Sequence, residues 1–407
     1  MAARKEKARK DDANGISVLV AIVAASVFWL SIQPQQQHFD YTSRIAAAFL
    51  HGHLGLSAQP PSWLNEMVSK DGHFYSVFPL GAVLSVIPVA LLATIGLFNT
   101  FPGGVVAAVL AGFCVHAFYK LSELEPISKP RRILLALFPI FGTWSWCNLG
   151  FAGAWQIALG FALLGETAAL YFTLVRPRPL IAGACFALAF GNRTEIILTA
   201  PIFMFWWFFQ IPGSSAEQDS RRDRWRMLGF FLAIPIAFGI ATAAYNFARF
   251  GSIFDFGYMR IPNVNAEPWY RYGLFSLHAI PWNVFKMLFE GMTDVSAFPF
   301  LQPHAFGCSI FLASPFLFLL FREGGRFRAA AWLAIGVLTF ALWCHGNPGG
   351  WQFSYRYAMI LLPWMFLLLV SNGPRTWSKM EAILFLISIA INSIAVYQFL
   401  WTNNVHP

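Results

Sequence analysis

The sequence has few charged residues: Asp, Glu, Lys and Arg make up 12% of its 407 residues, against about 25% in an average soluble domain. It also lacks the strict alternation of polar and apolar residues that half-buried strands require. The charges gather in short clusters, and apolar stretches of membrane length separate them. Because coil and open sheet edges cannot face lipid, these stretches are predicted to be helices. The composition therefore excludes an ordinary soluble domain.

Cysteine and nucleic-acid signatures are also scarce. The five cysteines form no Cys-x-x-Cys pair and no His–Cys cluster, so neither a metal site nor a disulfide framework is predicted. The net charge is +9, but the basic residues lie in short connections beside apolar runs. They are expected to set membrane topology by the positive-inside rule. Since no basic stripe interleaves with exposed aromatics, no nucleic-acid partner is expected.

The apolar stretches predict an all-α, polytopic bundle of about eleven or twelve transmembrane segments, forming a single membrane domain over residues 1–407. A basic tail, residues 1–15, precedes the apolar run Ile16–Ile32 without a small-x-small cleavage site, which indicates a retained anchor and a cytoplasmic tail. The later segments are Leu80–Phe98, Val105–Tyr119, Ile133–Cys147, Ala154–Val175, Leu180–Gln210, Leu228–Phe247, Ser309–Phe321, Ala329–Cys344, Tyr357–Val370 and Ala382–Trp401.

The charged connections predict which loops face the cytoplasm. These connections are Lys120–Arg132, Arg176–Pro179, Ser214–Arg226, Arg322–Arg328 and Pro374–Lys379. Two large outer loops remain, residues 33–79 and 250–307. They are expected to carry short amphipathic helices: Tyr41–His51, a segment from Pro60-Pro61 to about Lys70, and Ser276–Gly291, which can lie in the membrane interface.

Two segments need a special topology to keep these sides consistent. Leu80–Phe98 is interpreted as a re-entrant helix, kinked at Pro88, with both ends outside. Non-helical backbone at membrane depth is tolerated where it lines protein or water, so this segment would form a cavity wall. Leu180–Gln210 is interpreted as a short hairpin with Gly191–Glu195 at its outer tip. The alternative is one long span with charges in mid-membrane, which is costly.

The first chemical candidate is Asp40, which follows the anchor at the outer membrane surface. A carboxylate there can act as a general base or orient a cation. Asp40 and Arg44 are four residues apart and would share one helix face. The alternative is that Asp40 caps the helix or only pairs with Arg44.

Two further pairs of residues are candidates. Lys70 and Tyr75 flank the turn signal Asp71-Gly72, although an interfacial aromatic belt and a solvated lysine would explain them equally. Arg193 and Glu195 lie between apolar runs, where ionisable groups are functional candidates by default. They could instead neutralise each other, but Arg193 would still be a fixed donor fork suited to phosphate.

The last candidates are Gln352, Tyr355 and Arg356, which precede the span Tyr357–Val370. Tyrosines flanking an arginine at the mouth of a span can place a cation and hydroxyls in a pocket at the membrane edge. The alternative is another aromatic belt with a snorkelling Arg356.

In their order along the chain, these short motifs resemble those of bacterial members of the glycosyltransferase-C superfamily, which includes protein mannosyltransferases and the aminoarabinose transferases of lipid A. The resemblance covers most of the chain and rests on Phe39-Asp40-Tyr41-Thr42-Ser43-Arg44, Asp71-Gly72-His73-Phe74-Tyr75, Phe78-Pro79-Leu80-Gly81, Gly191-Asn192-Arg193-Thr194-Glu195 and Gln352-Phe353-Ser354-Tyr355-Arg356-Tyr357.

The resemblance implies a membrane glycosyltransferase that takes a sugar from a polyprenyl-phosphate donor. The acceptor would be a lipid, a glycan or a protein, and the site would face the periplasm from a bacterial inner membrane, in contact with membrane lipid. Asp40 matches the catalytic acid of the superfamily's first outer loop and would act as the base of an inverting displacement. The positive charges that would stabilise the leaving phosphate are Arg44, Lys70, Arg193 and Arg356.

The sequence departs from the superfamily in one respect and leaves one rival function open. No second outer acid lies near Asn148–Trp155, so no cofactor is expected, although a divalent metal remains an alternative. The rival is a lipid or sugar transporter or flippase. It would need charges deep within the spans, whereas these cluster near outer ends. Should Asp40 not be the base, Glu66 and Asp71 are the next candidates.

Overall fold

The computed structural model describes residues 2–33, 39–209, 221–296, 298–402 and 405. These residues form an all-α membrane helix bundle, as the sequence predicts, with strands limited in the described ranges to two short hairpins. Within those ranges, five helical segments are long and apolar enough to cross a membrane: Asn14–Ser31, Gly103–Leu124, Ala154–Leu174, Arg221–Phe250 and Lys379–Trp401. Four shorter apolar segments accompany them: Pro179–Asn192, Thr194–Phe209, Arg328–Cys344 and Arg356–Ser371.

The first ten α-helices follow the predicted apolar segments closely. They are α1 (Ala2–Ser31), α2 (Tyr41–Leu50), α3 (Leu80–Ser85), α4 (Ile87–Thr94), α5 (Gly103–Leu121), α6 (Lys129–Phe141), α7 (Ser145–Gly150), α8 (Ala154–Leu174), α9 (Pro179–Asn192) and α10 (Ala200–Phe209). Helix α8 packs along α9 and α5, and α5 also packs along α1, so these four form the centre of the bundle's first half.

The second half contains six α-helices and several tighter or wider turns. The α-helices are α11 (Arg221–Phe250), α12 (Ile280–Val284), α13 (Ile310–Ala313), α14 (Arg328–Cys344), α15 (Leu362–Ser371) and α16 (Lys379–Val396). Six-residue or longer 3₁₀ segments precede α10 and α15 and follow α13: Thr194–Thr199, Arg356–Leu361 and Pro315–Phe321. A π-helical turn, Tyr397–Trp401, extends α16.

The described part of the predicted first outer loop contains a hairpin where a helix was expected. Helix α2 agrees with the prediction for Tyr41–His51, but the helix expected from Pro60-Pro61 to Lys70 is wrong. Strands β1 (Met67–Lys70) and β2 (His73–Ser76) pair antiparallel there. The turn residues Asp71 and Gly72 both have positive φ angles, 52° and 75°, as a two-residue hairpin turn requires. A second hairpin joins β3 (Met292–Asp294) to β4 (Leu301–Pro303).

The two segments with unusual predicted topology are both broken helices. Helices α3 and α4 meet at Val86, and Pro88 lies in the first turn of α4, where a proline is tolerated because its missing N–H would have no partner. With a rise of about 1.5 Å per residue, neither helix alone spans the roughly 30 Å hydrocarbon core. Helix α9 ends at Asn192, and the extended residue Arg193 separates it from Thr194–Thr199. One continuous span is therefore not formed here.

The predicted cytoplasmic connections meet at one end of the bundle. Arg131 of α6 and Arg322 both donate hydrogen bonds to the Glu381 carboxylate of α16, at 3.1 and 2.7 Å. The backbone N–H of Ser128 donates to the Arg375 carbonyl over 2.8 Å. Three connections that are distant in sequence thus contact one another, as expected if they lie on the same side of the membrane.

The predicted amphipathic stretch in the second outer loop is helical, and its polar side faces the protein. It comprises the 3₁₀ turn Leu277–Ala279, α12 and the π-helical turn Phe285–Phe289. Trp282 and Phe289 are 43% and 67% exposed, whereas Asn283 is fully buried. The Asn283 side-chain amide donates to the carbonyls of Trp343 and His345 at 2.9 and 2.7 Å. This helix therefore holds the end of α14 in place.

Candidate functional site

A cavity of about 700 Å³ lies at the other end of the bundle. Its walls come from the first outer loop, the beginning of α8, the junction after α9, the second outer loop and the segment that follows α14. These elements are far apart in sequence. The cavity forms where the beginnings of α3 and α8 meet the ends of α9 and α14.

Arg193 and Glu195 line the cavity at the break between α9 and the next 3₁₀ segment. The backbone of Arg193 is extended and ends α9, so its side chain does not follow the helical spacing of α9. Its guanidinium donates a hydrogen bond of 2.5 Å to the Glu195 carboxylate. The predicted mutual neutralisation is therefore observed. The Arg193 Nε atom is nevertheless buried and has no hydrogen-bond partner among the described residues.

Arg356 approaches the same place from the other half of the chain. The guanidinium carbons of Arg193 and Arg356 lie 4.7 and 5.1 Å from the centre of the Tyr357 ring. Arg356 also donates a hydrogen bond of 3.3 Å to the Tyr357 hydroxyl. Its Nε atom, like that of Arg193, is buried without a partner in the described part of the chain. Two guanidinium groups in the cavity thus lie over one aromatic ring, and the Nε–H group of each can still donate a hydrogen bond.

Gln352 and Tyr355 support Arg356 and do not line the cavity themselves. The Gln352 side-chain carbonyl accepts the backbone N–H of Arg356 at 3.2 Å, and its amide donates to the Pro348 carbonyl at 3.0 Å. The Tyr355 hydroxyl donates to the Leu342 carbonyl of α14 at 3.2 Å. These buried contacts fix the turn that presents Arg356. Both residues therefore contribute to the cavity by positioning Arg356.

Glu66 is the carboxylic acid that the first outer loop contributes to the cavity. Its Oε2 atom is buried and has no hydrogen-bond partner among the described residues, and Trp155 lines the same cavity. Burial raises the pKa of Glu66 to about 7, against the opposing effect of the Arg356 charge. From the sequence alone, Glu66 is a candidate base only if Asp40 is not the base. The signal was an acid between the apolar residues Leu64 and Met67.

Asp40 lies beside the cavity. Its carboxylate accepts a 2.8 Å hydrogen bond from Arg44, and the side chain makes no capping bond to α2. The preceding residue, Phe39, lines the cavity and packs against Trp155 with ring centres 5.9 Å apart. Asp40 and Arg44 are not among the described residues that line the cavity. Their assignment as catalytic and binding residues remains a prediction.

Lys70 and Tyr75 are held at the β1–β2 hairpin, against the end of α11. The Lys70 amine donates to the Arg249 carbonyl over 2.9 Å, and the Tyr75 ring packs on Phe250 with centres 6.0 Å apart. Neither is among the described residues that line the cavity. Lys70 and Tyr75 therefore lie together at the hairpin, whereas Arg193 and Arg356 lie together in the cavity.

His345 is a cavity residue that sequence reasoning missed. It follows the last residue of α14, and its Nδ1 atom lies 2.7 Å from the Asn347 carbonyl. Burial lowers the pKa of His345, against the opposing effects of the Asn347 carbonyl and the Glu195 charge, and the charges of Arg193 and Arg356 lower it further. A histidine directly after an apolar run was the available signal.

The two described acids that line the cavity both lie near arginine. Glu195 is bonded to Arg193, and Glu66 lies in the field of Arg356. Within the described ranges, no group of three or more His, Cys, Asp and Glu side chains is arranged to hold a metal ion. The positive charge of this cavity comes from arginine.

The sequence matches no known family profile and no curated protein. The structure is similar to the crystal structure of the Archaeoglobus fulgidus oligosaccharyltransferase in its apo form, with 14% sequence identity and a TM-score of 0.40. The match covers 95% of this chain and 55% of that chain, so this chain spans about half the length of that enzyme.

Proposed function

We propose that this integral membrane protein is a glycosyltransferase that moves a sugar from a polyprenyl-phosphate donor to an acceptor at the outer face of a membrane. The observation that carries the proposal is the arginine pair on Tyr357. Arg193 and Arg356 share one ring in the lining of the cavity, at the end of the bundle opposite the cluster around Glu381. The order of the sequence motifs supports the same activity.

The two arginines would bind the donor phosphate. Guanidinium groups present planar forks that match phosphate oxygens, and such charge-assisted hydrogen bonds are strong. Both buried Nε atoms lack a partner among the described residues, so a phosphate would satisfy donors that now have none. As the bond to the sugar breaks, negative charge grows on the phosphate, and preorganised cations stabilise that change. Glu195 would keep Arg193 in place.

The donor would enter from the lipid along α3 and α4. Pro79, at the beginning of α3, lines the cavity, and α4 exposes Leu91 and Ile95 on the outside of the bundle. An isoprenoid chain is apolar and would remain in the hydrocarbon beside these side chains, with its phosphate at the arginines. This arrangement would leave the sugar in the cavity, away from the lipid.

The chemistry would be a single displacement with inversion at the anomeric carbon. The acceptor oxygen attacks that carbon, the bond to the phosphate oxygen breaks, and a carboxylate of the first outer loop takes the acceptor's proton. Asp40 is the sequence-based candidate for this base. It is adjacent to Phe39 in the cavity wall, and its carboxylate is paired with Arg44.

Binding of polyprenyl phosphate to the purified protein in nanodiscs tests the phosphate site. Arg193→Lys and Arg356→Lys keep the charge and lose the planar fork, so each should weaken binding by about tenfold, equivalent to one charge-assisted hydrogen bond. Arg271→Lys is the matched control, because Arg271 is exposed on the second outer loop. Wild-type affinity in both cavity variants would contradict the phosphate site. Transport of the intact donor without release of polyprenyl phosphate would favour a flippase.

A further inference from the structure

Glu66 differs from Asp40 and Glu195 because, among the described residues, it has no ion-pair partner. Asp40 is paired with Arg44 at 2.8 Å and Glu195 with Arg193 at 2.5 Å. Among the described residues, no cation lies within ion-pair distance of Glu66, and its Oε2 atom is buried without a hydrogen bond. A buried carboxylate oxygen without a partner is costly in a folded protein. Such an atom is explained if a ligand supplies the missing hydrogen.

The groups around the Glu66 carboxyl leave its Oε2 atom without a hydrogen bond in the described part of the chain. The groups that face it are Arg356 and Trp155, with Glu267 of the second outer loop and the hydroxyls of Tyr41 and Tyr258. The Tyr41 hydroxyl donates a 3.0 Å hydrogen bond to the side-chain carbonyl of Asn65, the residue before Glu66. Glu66, Trp155 and Arg356 all line the same cavity.

We infer that Glu66 is the general base of this cavity and binds the acceptor hydroxyl, an assignment that rests on the proposed glycosyl transfer. The O–H bond of the acceptor breaks and its proton goes to Glu66 Oε2. The acceptor oxygen forms a bond to the anomeric carbon while the bond from that carbon to the phosphate oxygen breaks. The electron pair of the broken bond stays on the phosphate, beside Arg193 and Arg356. Glu66 then returns the proton to water.

The proton affinity of Glu66 supports this role. Burial raises its pKa to about 7, with Glu267 acting in the same direction and Arg356 and Trp155 opposing it. A general base works best when its pKa lies near the operating pH, because it is then both ionised and basic. Asp40 has different neighbours from Glu66. Its carboxylate accepts a hydrogen bond from Arg44, whose positive charge already compensates the negative charge of Asp40.

A further unsatisfied acceptor atom in the same cavity indicates the class of acceptor substrate. The Gln156 Oε1 atom is buried and has no partner within the described ranges, and both Gln156 and Glu66 line the cavity. A cavity lined by such unsatisfied hydrogen-bond acceptors suits a ligand that carries several hydroxyl groups. We therefore assign the acceptor to the polyols, with a sugar hydroxyl as the nucleophile at Glu66.

The test compares Glu66→Gln with Asp40→Asn in the full-length protein. The probe is a mixed pool of polyprenyl-phosphate hexoses and pentoses, with a sugar as acceptor, and the measurement is the release of free polyprenyl phosphate. Glu66→Gln should reduce release by about a hundredfold or more, the usual effect of losing a general base, while polyprenyl phosphate still binds. Asp294→Asn is the control, since Asp294 is an exposed acid of the second outer loop with no role in the cavity.

The pH profile separates a base from a structural residue. Wild-type release should rise as the pH passes about 7, because the base must be ionised. The residual activity of Glu66→Gln should lack that rise, and Glu66→Asp should restore part of the rate. A smaller loss in Asp40→Asn with its pH rise intact supports the assignment. Should both variants lose turnover, a flat profile in Glu66→Gln supports it and a retained rise overturns it.

Two other outcomes would overturn the inference in distinguishable ways. Near-normal release by Glu66→Gln together with an inactive Asp40→Asn would place the base at Asp40 and leave the proposed function intact. Folded wild-type protein that neither binds polyprenyl phosphate nor releases it from the pool would overturn the glycosyl transfer and, with it, the role of Glu66.

Discussion

Gly81 of α3 lies against Gly191 of α9 so closely that a Cβ atom on Gly81 would be 2.6 Å from the Gly191 Cα. The contact joins the segment that begins at Phe78 to the one that ends at Arg193. Just beyond it, the Asn192 amide donates to the Ser85 hydroxyl at 2.9 Å. Two short motifs separated by more than a hundred residues therefore form one wall of the cavity.

Gly81→Ala should destabilise the protein by about 1–3 kcal/mol, the usual effect of forcing an extra methyl group into a packed contact. Gly229→Ala is the control, because nothing lies within 4 Å of a Cβ at Gly229 in α11. That variant should be as stable as wild type or slightly more so, since alanine favours a helix. Thermal unfolding in mild detergent measures both. Equal stability of the two variants would contradict the close contact.

Glu381→Gln should be strongly destabilising, by about 3–5 kcal/mol, because it leaves the buried Arg131 guanidinium without its counter-charge. Both side chains of this pair are 1% exposed, and Arg322 bonds to the same carboxylate. Glu323→Gln changes an exposed acid near the same end of the bundle and should leave stability within about 0.5 kcal/mol. Unfolding of both variants in detergent is the measurement. An unchanged Glu381→Gln protein would disprove the cluster's structural role.

Tyr357 allows the ring and the hydroxyl to be tested separately. Tyr357→Phe loses one 3.3 Å hydrogen bond from Arg356, so polyprenyl phosphate binding should weaken by only about fivefold. Tyr357→Leu removes the ring beneath both guanidinium groups. Since each contact is worth up to about 2 kcal/mol in a desolvated site, binding should weaken by well over tenfold. Equal affinities for the two variants would show that the ring does not position the arginines.

Stability should also depend on pH through Glu66. Its pKa in the folded protein, about 7, is above its ordinary value of 4.5, so the folded state binds this proton more tightly than the unfolded state. The resulting stabilisation is complete below pH 4.5 and is lost as the pH rises through about 7. Glu66→Gln has no such proton to lose, so its melting temperature relative to that of wild type should increase as the pH rises from 4.5 through about 7. Parallel curves for the two proteins would contradict the raised pKa.

The predicted topology can be tested by cysteine labelling from the two sides. Gln59 and Thr100 are exposed, and they flank the broken segment α3–α4. If that segment does not cross, Gln59→Cys and Thr100→Cys should both react with an impermeant reagent from outside. Arg326→Cys should react only after permeabilisation, because its connection is predicted to be cytoplasmic. Thr100→Cys that is protected from outside and reactive from the cytoplasm would refute the re-entrant interpretation.

The sequence by itself determined the class of fold and most helix positions. Apolar runs such as Val105–Tyr119 and Ala154–Val175 correspond closely to α5 and α8, because a chain in lipid must satisfy its backbone hydrogen bonds locally. The same local rules located the turn at Asp71-Gly72. They failed just before it, where a helix was expected and the chain instead pairs with the strand that follows the turn.

The tertiary structure decided which residues share a site. Arg193 and Arg356 were candidates for independent reasons, but only the packing of the two halves of the bundle places both on Tyr357. It likewise placed Glu66, and not Asp40, in the cavity wall with an unpartnered oxygen. Helix periodicity and propensity act over a few residues, whereas burial and the loss of hydrogen-bond partners arise from contacts between distant segments. Those contacts cannot be read from a single sequence.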